Sequence, residues 1–228
     1  MVVVLVVFTV AAFILADAYL STRRQRARQL SLVTEGGPPA ATGPPLPAVE
    51  QLFLHPAHAW VQLSPGGEVT VGASDLAANF AGDLAAVELP EAGSHLRQGQ
   101  SAWTLVSSRD RRLDMVMPIE AEVLEVNREL LDDPKRVQHS PYGDGWILRA
   151  RAKSLGEGLR NLLRGAAARA WREASRASVT AKLRPALGAR ALDGGEWAVG
   201  FGDRLEDADW EALREELFPT EDPPIAAD

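Results

Sequence analysis

The chain has 228 residues, 46% of them hydrophobic and 24% charged, with a formal net charge of −7. That length gives one ordinary domain with extensions or two small ones, and the absence of cysteine excludes disulfides, thiolate metal sites and cysteine nucleophiles. His55, His58, His95 and His139 lack the close pairing of metal-ligand motifs on one helix, which argues against a zinc enzyme. The acidic balance argues against a general nucleic-acid binder, because phosphate neutralisation needs a basic surface. Lysine occurs only at Lys135, Lys153 and Lys182.

The chain begins MVVVLVVFTVAAFILADAYL, in which Asp17 is the only charge between Val2 and Leu20. A run of roughly 20 apolar residues at ~1.5 Å rise spans a hydrocarbon core. No basic residue precedes it, and Arg23, Arg24, Arg26 and Arg28 follow at once. This order is the reverse of a cleavable signal peptide, and the positive-inside rule keeps the downstream chain in the cytoplasm. The expectation is a single-pass, N-out membrane anchor over residues 1–22, with residues 2–20 in the bilayer. Residues 23–48 read as a basic juxtamembrane segment and a linker, since TEGGPPAATGPPLP (Thr34 to Pro47) cannot carry a helix or a sheet ladder. The next domain is expected to start near Val49.

From Leu52 to about Ala152 short alternating segments are separated by breakers. Ala59 to Leu63, the turn Ser64 to Gly67, and Glu68 to Val71 read as strand, turn, strand. Ser74 to Phe80 opens with a Ser/Asp cap and places Leu76 and Phe80 four apart, a short helix. Ala85 to Leu89, Ser101 to Val106 and Met115 to Val126 supply further strands, a spacing that indicates a small all-β sandwich or barrel.

Four stretches in this region resemble, in order, the H protein of the glycine cleavage system: HAWV (His58 to Val61), VGASDLAANFAGDLAAVELPEAG (Val71 to Gly93), EVLEVNREL (Glu122 to Leu130) and SPYGDGWIL (Ser140 to Leu148). The last is the most specific, joining turn residues and two aromatics at a spacing that chance seldom produces. The resemblance covers Leu52 to roughly Arg164. It implies a mainly β, lipoyl-type sandwich (a barrel-sandwich hybrid) over residues 49–164, with a helix near residue 75 and another at the domain's end.

In that family a lysine at a hairpin tip carries lipoic acid and shuttles an aminomethyl group between enzymes. Here the corresponding stretch is TLVSSRDRRLDMVMP, Thr104 to Pro118. Placing the family's Glu-Ser-Val-Lys-Ala pattern on it without a gap from Pro118 puts the lysine position at Asp110 and the glutamate position at Ser107. No lysine occurs from Met1 to Pro134. Arginine is no replacement, because its guanidinium stays protonated and is a poor nucleophile. The tip is thus expected to be exposed, with Arg109, Asp110, Arg111 and Arg112 as candidate partner-binding residues for a carboxylate or phosphate. The plainer reading is a solvated turn.

Other candidates carry less chemistry. His58 and Trp60 read as strand edge and core, and Glu129, Asp132 and Asp133 as a surface turn. GSHLRQG (Gly93 to Gly99) lacks the lysine and hydroxyl of a phosphate loop. No catalytic or metal site is expected.

Residues 165–218 read as a helical extension. AAARAWREASRASVTAKL (Ala166 to Leu183) is helical up to Pro185, and Glu196 to Phe201 reads as a short strand. DADWEALREELF (Asp207 to Phe218) is an amphipathic helix that Asp207 can cap, with Trp210, Leu213 and Leu217 on one face. These helices either cover the β domain or form a docking surface. Residues 219–228 read as a disordered tail.

The leading functional reading is a membrane-anchored H-protein-like binding or scaffold module, not an enzyme, without a cofactor. Its unidentified protein partner would come from the glycine cleavage or lipoate-pathway enzymes. The alternative is a working lipoyl carrier, modified at an unexpected position. A third is a regulatory protein acting through its extension.

Overall fold

A computed structural model describes residues 51–187, 192–193 and 196–219. The expected anchor at residues 2–20, the linker and the tail beyond residue 219 lie outside that range. Among the described residues no helix is long and apolar enough to cross a membrane.

Two antiparallel sheets form the β domain. Strands β1 (Phe53–Leu54), β2 (Ala59–Leu63) and β3 (Glu68–Ala73) lead into helix α1 (Asp75–Phe80). Then come β4 (Leu84–Glu88), β5 (His95–Leu96), β6 (Ser101–Ser107), β7 (Arg112–Val116) and β8 (Ala121–Val126). Helices α2 (Glu129–Asp132) and α3 (Arg136–His139) precede β9 (Leu148–Ala152) and α4 (Leu155–Gly158). The larger sheet has the order β1-β2-β3-β9-β8-β5, the smaller β4-β6-β7. Both alternate as the sequence predicts: Val69, Val71, Leu148 and Ala150 point inward, while Arg149 and Arg151 point out.

Local chemistry fixes the turns and caps. The β2–β3 hairpin closes through Gly66 and Gly67, both at φ +82°, a conformation that costs glycine little. Ser74 caps α1, its Oγ accepting the Ala77 N–H (3.3 Å), and all of α1 after Asp75 is buried.

The extension covers the β domain. Helix α5 (Gly165–Leu187) buries Ala168 against Leu52, Leu54, Trp60 and Tyr142 at its start, and Val179 and Leu183 in the main core further on. A pair of two-residue strands, β10 (Leu192–Asp193) and β11 (Glu196–Trp197), is followed by a 3-10 turn (Phe201–Arg204) and helix α6 (Asp207–Leu217). The strand expected to reach Phe201 therefore stops at Trp197. Glu206, not Asp207, is the cap residue of α6 and makes no side-chain cap bond. Asp207 is helical and is used elsewhere.

Phe80 is the meeting point. Its ring lies 6.2 Å from Phe201, 5.4 Å from Trp210 and 5.1 Å from Phe218, and its carbonyl accepts the Trp210 indole N–H (3.0 Å). Each such aromatic contributes roughly 1.5–3 kcal/mol of burial. The domain boundary expected at residue 164 marks the end of a family pattern, but the hydrophobic core runs across it.

Candidate functional site: the hairpin tip

Residues 108–111 connect β6 to β7 across the pair Val106↔Arg112. The Ser107 side chain shapes the turn, its Oγ accepting the N–H groups of Arg109 (3.3 Å) and Arg111 (3.2 Å). Asp110 takes the left-handed conformation at φ +61°, which aspartate tolerates better than most residues. Ser108, Arg109 and Asp110 are exposed. The tip is pinned to the chain after α1 by the Ser108 N–H, which donates to the Asp83 carbonyl (2.7 Å).

The three arginines already have partners within the chain. Arg111, expected at an exposed tip, is instead buried with 8% of its surface accessible. It donates to the carbonyls of Gly202 (2.7 Å) and Leu205 (2.8 Å) and to Asp207 Oδ1 (2.5 Å), and its guanidinium lies 5.6 Å from the Trp210 ring. The hydrogen bond and charge of Arg111 hold the Asp207 carboxyl below its usual range. Arg109 donates to the Asp203 carbonyl (2.7 Å), and Arg112 forms a two-pronged pair with Glu88, lowering that carboxyl in the same way. The physical reason that Arg111 departs from the exposed-tip expectation is that the 3-10 turn and the start of α6 bring three acceptors to its guanidinium.

Asp83 and Asp203, which the sequence reading did not single out, and Lys135, which it placed in a different loop, complete the region. The Asp83 N–H donates to Asp203 Oδ2 (2.7 Å), and Lys135 Nζ lies 2.7 Å from Asp83 Oδ1. Lys135, 25 residues beyond Asp110 in sequence, is thus brought to the residue that pins the tip. Gly82 sits beside Asp203, whose Oδ1 would lie 2.2 Å from an added Cβ.

The remaining candidates have structural roles. Trp60 Nε1 donates to the carbonyls of Ala73 (2.9 Å) and Pro141 (3.1 Å), seating the Pro-Tyr-Gly-Asp-Gly-Trp loop. Tyr142 donates to Asp75 Oδ1 (2.7 Å), and burial pushes its hydroxyl well above its ordinary pKa. His58 is buried between Trp171 and Phe218, and burial lowers it to about 4. Glu129 and Asp133 pair with Arg136, as a surface turn does. Gly93 and Gly99 serve turns whose N–H groups donate to Val123 and Met117 carbonyls.

The sequence model of the glycine cleavage H-protein family matches residues 52–174. The glycine cleavage system H protein of Halorhodospira halophila is 41% identical over 100 residues, which are 44% of this chain and 76% of that protein. The probable glycine cleavage system H protein of Pyrococcus horikoshii is 39% identical over 114 residues, 50% of this chain and 84% of that one. A crystal structure of a glycine cleavage system H protein from Mycobacterium marinum aligns over 54% of this chain and 98% of its own, with 27% identity and a TM-score of 0.48. The family match ends inside α5, so the 3-10 turn and α6 that cover the tip lie beyond it.

Proposed function

Because the chain belongs to the glycine cleavage H-protein family, we propose that it is a non-lipoylated member, a binding or scaffold module held at a membrane through residues 2–20 with its β domain in the cytoplasm. H proteins are carriers that bring a group to enzymes and are not themselves catalytic, and this reading keeps the chain in that non-enzymatic class. Its protein partners are sought among the enzymes of glycine cleavage or of lipoate metabolism.

The observation that carries the reading is the chemistry of the tip. A lipoyl amide forms between a carboxyl group and a primary amine, and Ser107 to Leu113 offers Ser108, Arg109, Asp110, Arg111 and Arg112 between its ends. Arg111, an arginine expected to receive an external anion, is occupied by the chain's own extension. The anchor is supported by the apolar run, in which Asp17 is the one charge, and by the four arginines that follow it.

A second reading keeps the carrier role and is favoured by one contact, the approach of Lys135 to Asp83 beside the tip. Expression of the full chain with a lipoate ligase and free lipoate, followed by intact mass, separates the two. The first reading expects an unmodified mass. Addition of one lipoyl group that disappears in Lys135→Arg would establish the second.

A further inference from the structure

The seven residues of β6 separate the hairpin tip from the Arg97 to Gln100 loop by about 23 Å, at ~3.3 Å per residue. At that far end the Gln98 side chain joins two segments. Its amide donates to the carbonyls of Pro118 (2.8 Å) and Gly158 (3.1 Å), and the Asn161 amide donates to its Oε1 (3.4 Å). Arg97 and Arg160 flank this junction. Both are exposed, and among the described residues neither side chain has a partner. Two residues past Asn161, Leu163 exchanges backbone hydrogen bonds with Leu54 (2.8 Å each way), and the Arg164 guanidinium lies 5.1 Å from the Phe53 ring. Arg164 therefore sits beside the first strand, and Arg97 and Arg160 sit beside the Gln98 junction that Asn161 joins just before Arg164 in the chain.

Charge is also distributed unevenly along the sequence. Residues 149–164 carry five basic side chains against one carboxylate, Glu157, in a chain of net charge −7. Residues 203–218, which cover the tip, carry seven carboxylates against two arginines. Arg149, Arg151 and Lys153 are paired with Glu125, Glu68 and Glu120, so the unspent cations at the Gln98 junction are Arg97 and Arg160.

We propose that the face formed by Arg97, Arg160 and Arg164 docks on anionic lipid headgroups, so that the hairpin tip points away from the bilayer. A guanidinium receives phosphate or carboxylate oxygens in a planar fork, and a basic surface within a Debye length of an anionic leaflet is drawn to it. Docking by Arg97 and Arg160 breaks no intrachain bond, and the acidic covering of the tip is repelled by the same leaflet. The proposal deepens the membrane reading of residues 2–20, which delivers the domain to the bilayer, and Arg23, Arg24, Arg26 and Arg28 on the tether carry the same sign.

The test uses the full chain in vesicles of phosphatidylcholine, with or without phosphatidylserine, and reads amide hydrogen exchange at 97–100 and 158–162. Phosphatidylserine is expected to slow exchange there about tenfold, an effect removed by raised salt and by Arg97→Gln with Arg160→Gln. Equal exchange in the two bilayers, or slowing that the double variant retains, overturns the docking face. Slowing by added RNA in place of phosphatidylserine overturns it as well. Flotation with pure phosphatidylcholine vesicles reads the anchor separately: a chain that floats only with phosphatidylserine, and in a salt-sensitive way, would sink the anchor and keep the face.

Discussion

Arg111 is a cation buried under the extension, and two of its three acceptors are backbone carbonyls. Its third partner, Asp207, has a side chain that is 96% exposed, so water already satisfies most of that carboxylate. The two ends of the pair should therefore respond differently. Arg111→Met leaves the Gly202 and Leu205 carbonyls buried without a donor and is expected to cost roughly 3 kcal/mol in urea denaturation. Asp207→Asn is expected to leave the midpoint nearly unchanged, as exposed ion-pair partners usually do.

His58 is a residue whose protonation the fold opposes. Its backbone is at φ +61°, and its ring lies 4.8 Å from Trp171 and 5.2 Å from Phe218. Burial lowers it from 6.5 to about 4; Asp75 opposes that shift and His55 adds to it. The folded pKa is below the unfolded one, so the contribution is complete above about pH 6.5 and is lost as pH falls through about 4. At ~1.4 kcal/mol per unit the loss approaches about 3 kcal/mol. Denaturation midpoints measured across that window should fall with acid, and His58→Asn, whose side chain tolerates the left-handed backbone, should flatten the slope.

At the scale of elements, the extension is held by close backbone contact as well as by aromatic burial. A Cβ on Gly202 would fall 1.8 Å from the Phe80 carbonyl oxygen, so the 3-10 turn can lie on the end of α1 only with glycine there. Gly202→Ala is expected to lift the turn and α6 from Phe80, with a loss of roughly 3 kcal/mol or more and early proteolysis within 203–217. Gly156→Ala is the control, since nothing lies within 4 Å of its added methyl. The elements themselves are largely legible in the sequence: the Ser-Asp start of α1, the glycine turn between β2 and β3, and the face of α6 bearing Trp210 and Leu213 each arise from local chemistry. The cap expected at Asp207 is displaced because a carboxylate at a helix start has two uses, and here the tip's guanidinium takes it.

For the whole molecule, alternation and the Pro-Tyr-Gly-Asp-Gly-Trp run point to the β domain because short-range pattern determines strands and turns. The environment of the tip is different in kind. Arg111 finds acceptors 91 and 94 residues further along, and they are carbonyl oxygens that any residue type supplies, so no side-chain signature marks them. Lys135 illustrates the same limit, since its distance from the tip in sequence conceals its contact with Asp83.

The same long separation bears on how the protein is made. Trp210 reaches the Phe80 carbonyl across 130 residues. At ~5–20 residues per second, that interval takes roughly 7–26 s on the ribosome. Throughout it the aromatic flank of α1 stands bare beside a nascent chain, open to chaperones. The flank of α1 is sealed only when α6 emerges, so the native packing around Phe80 waits until that helix has been made.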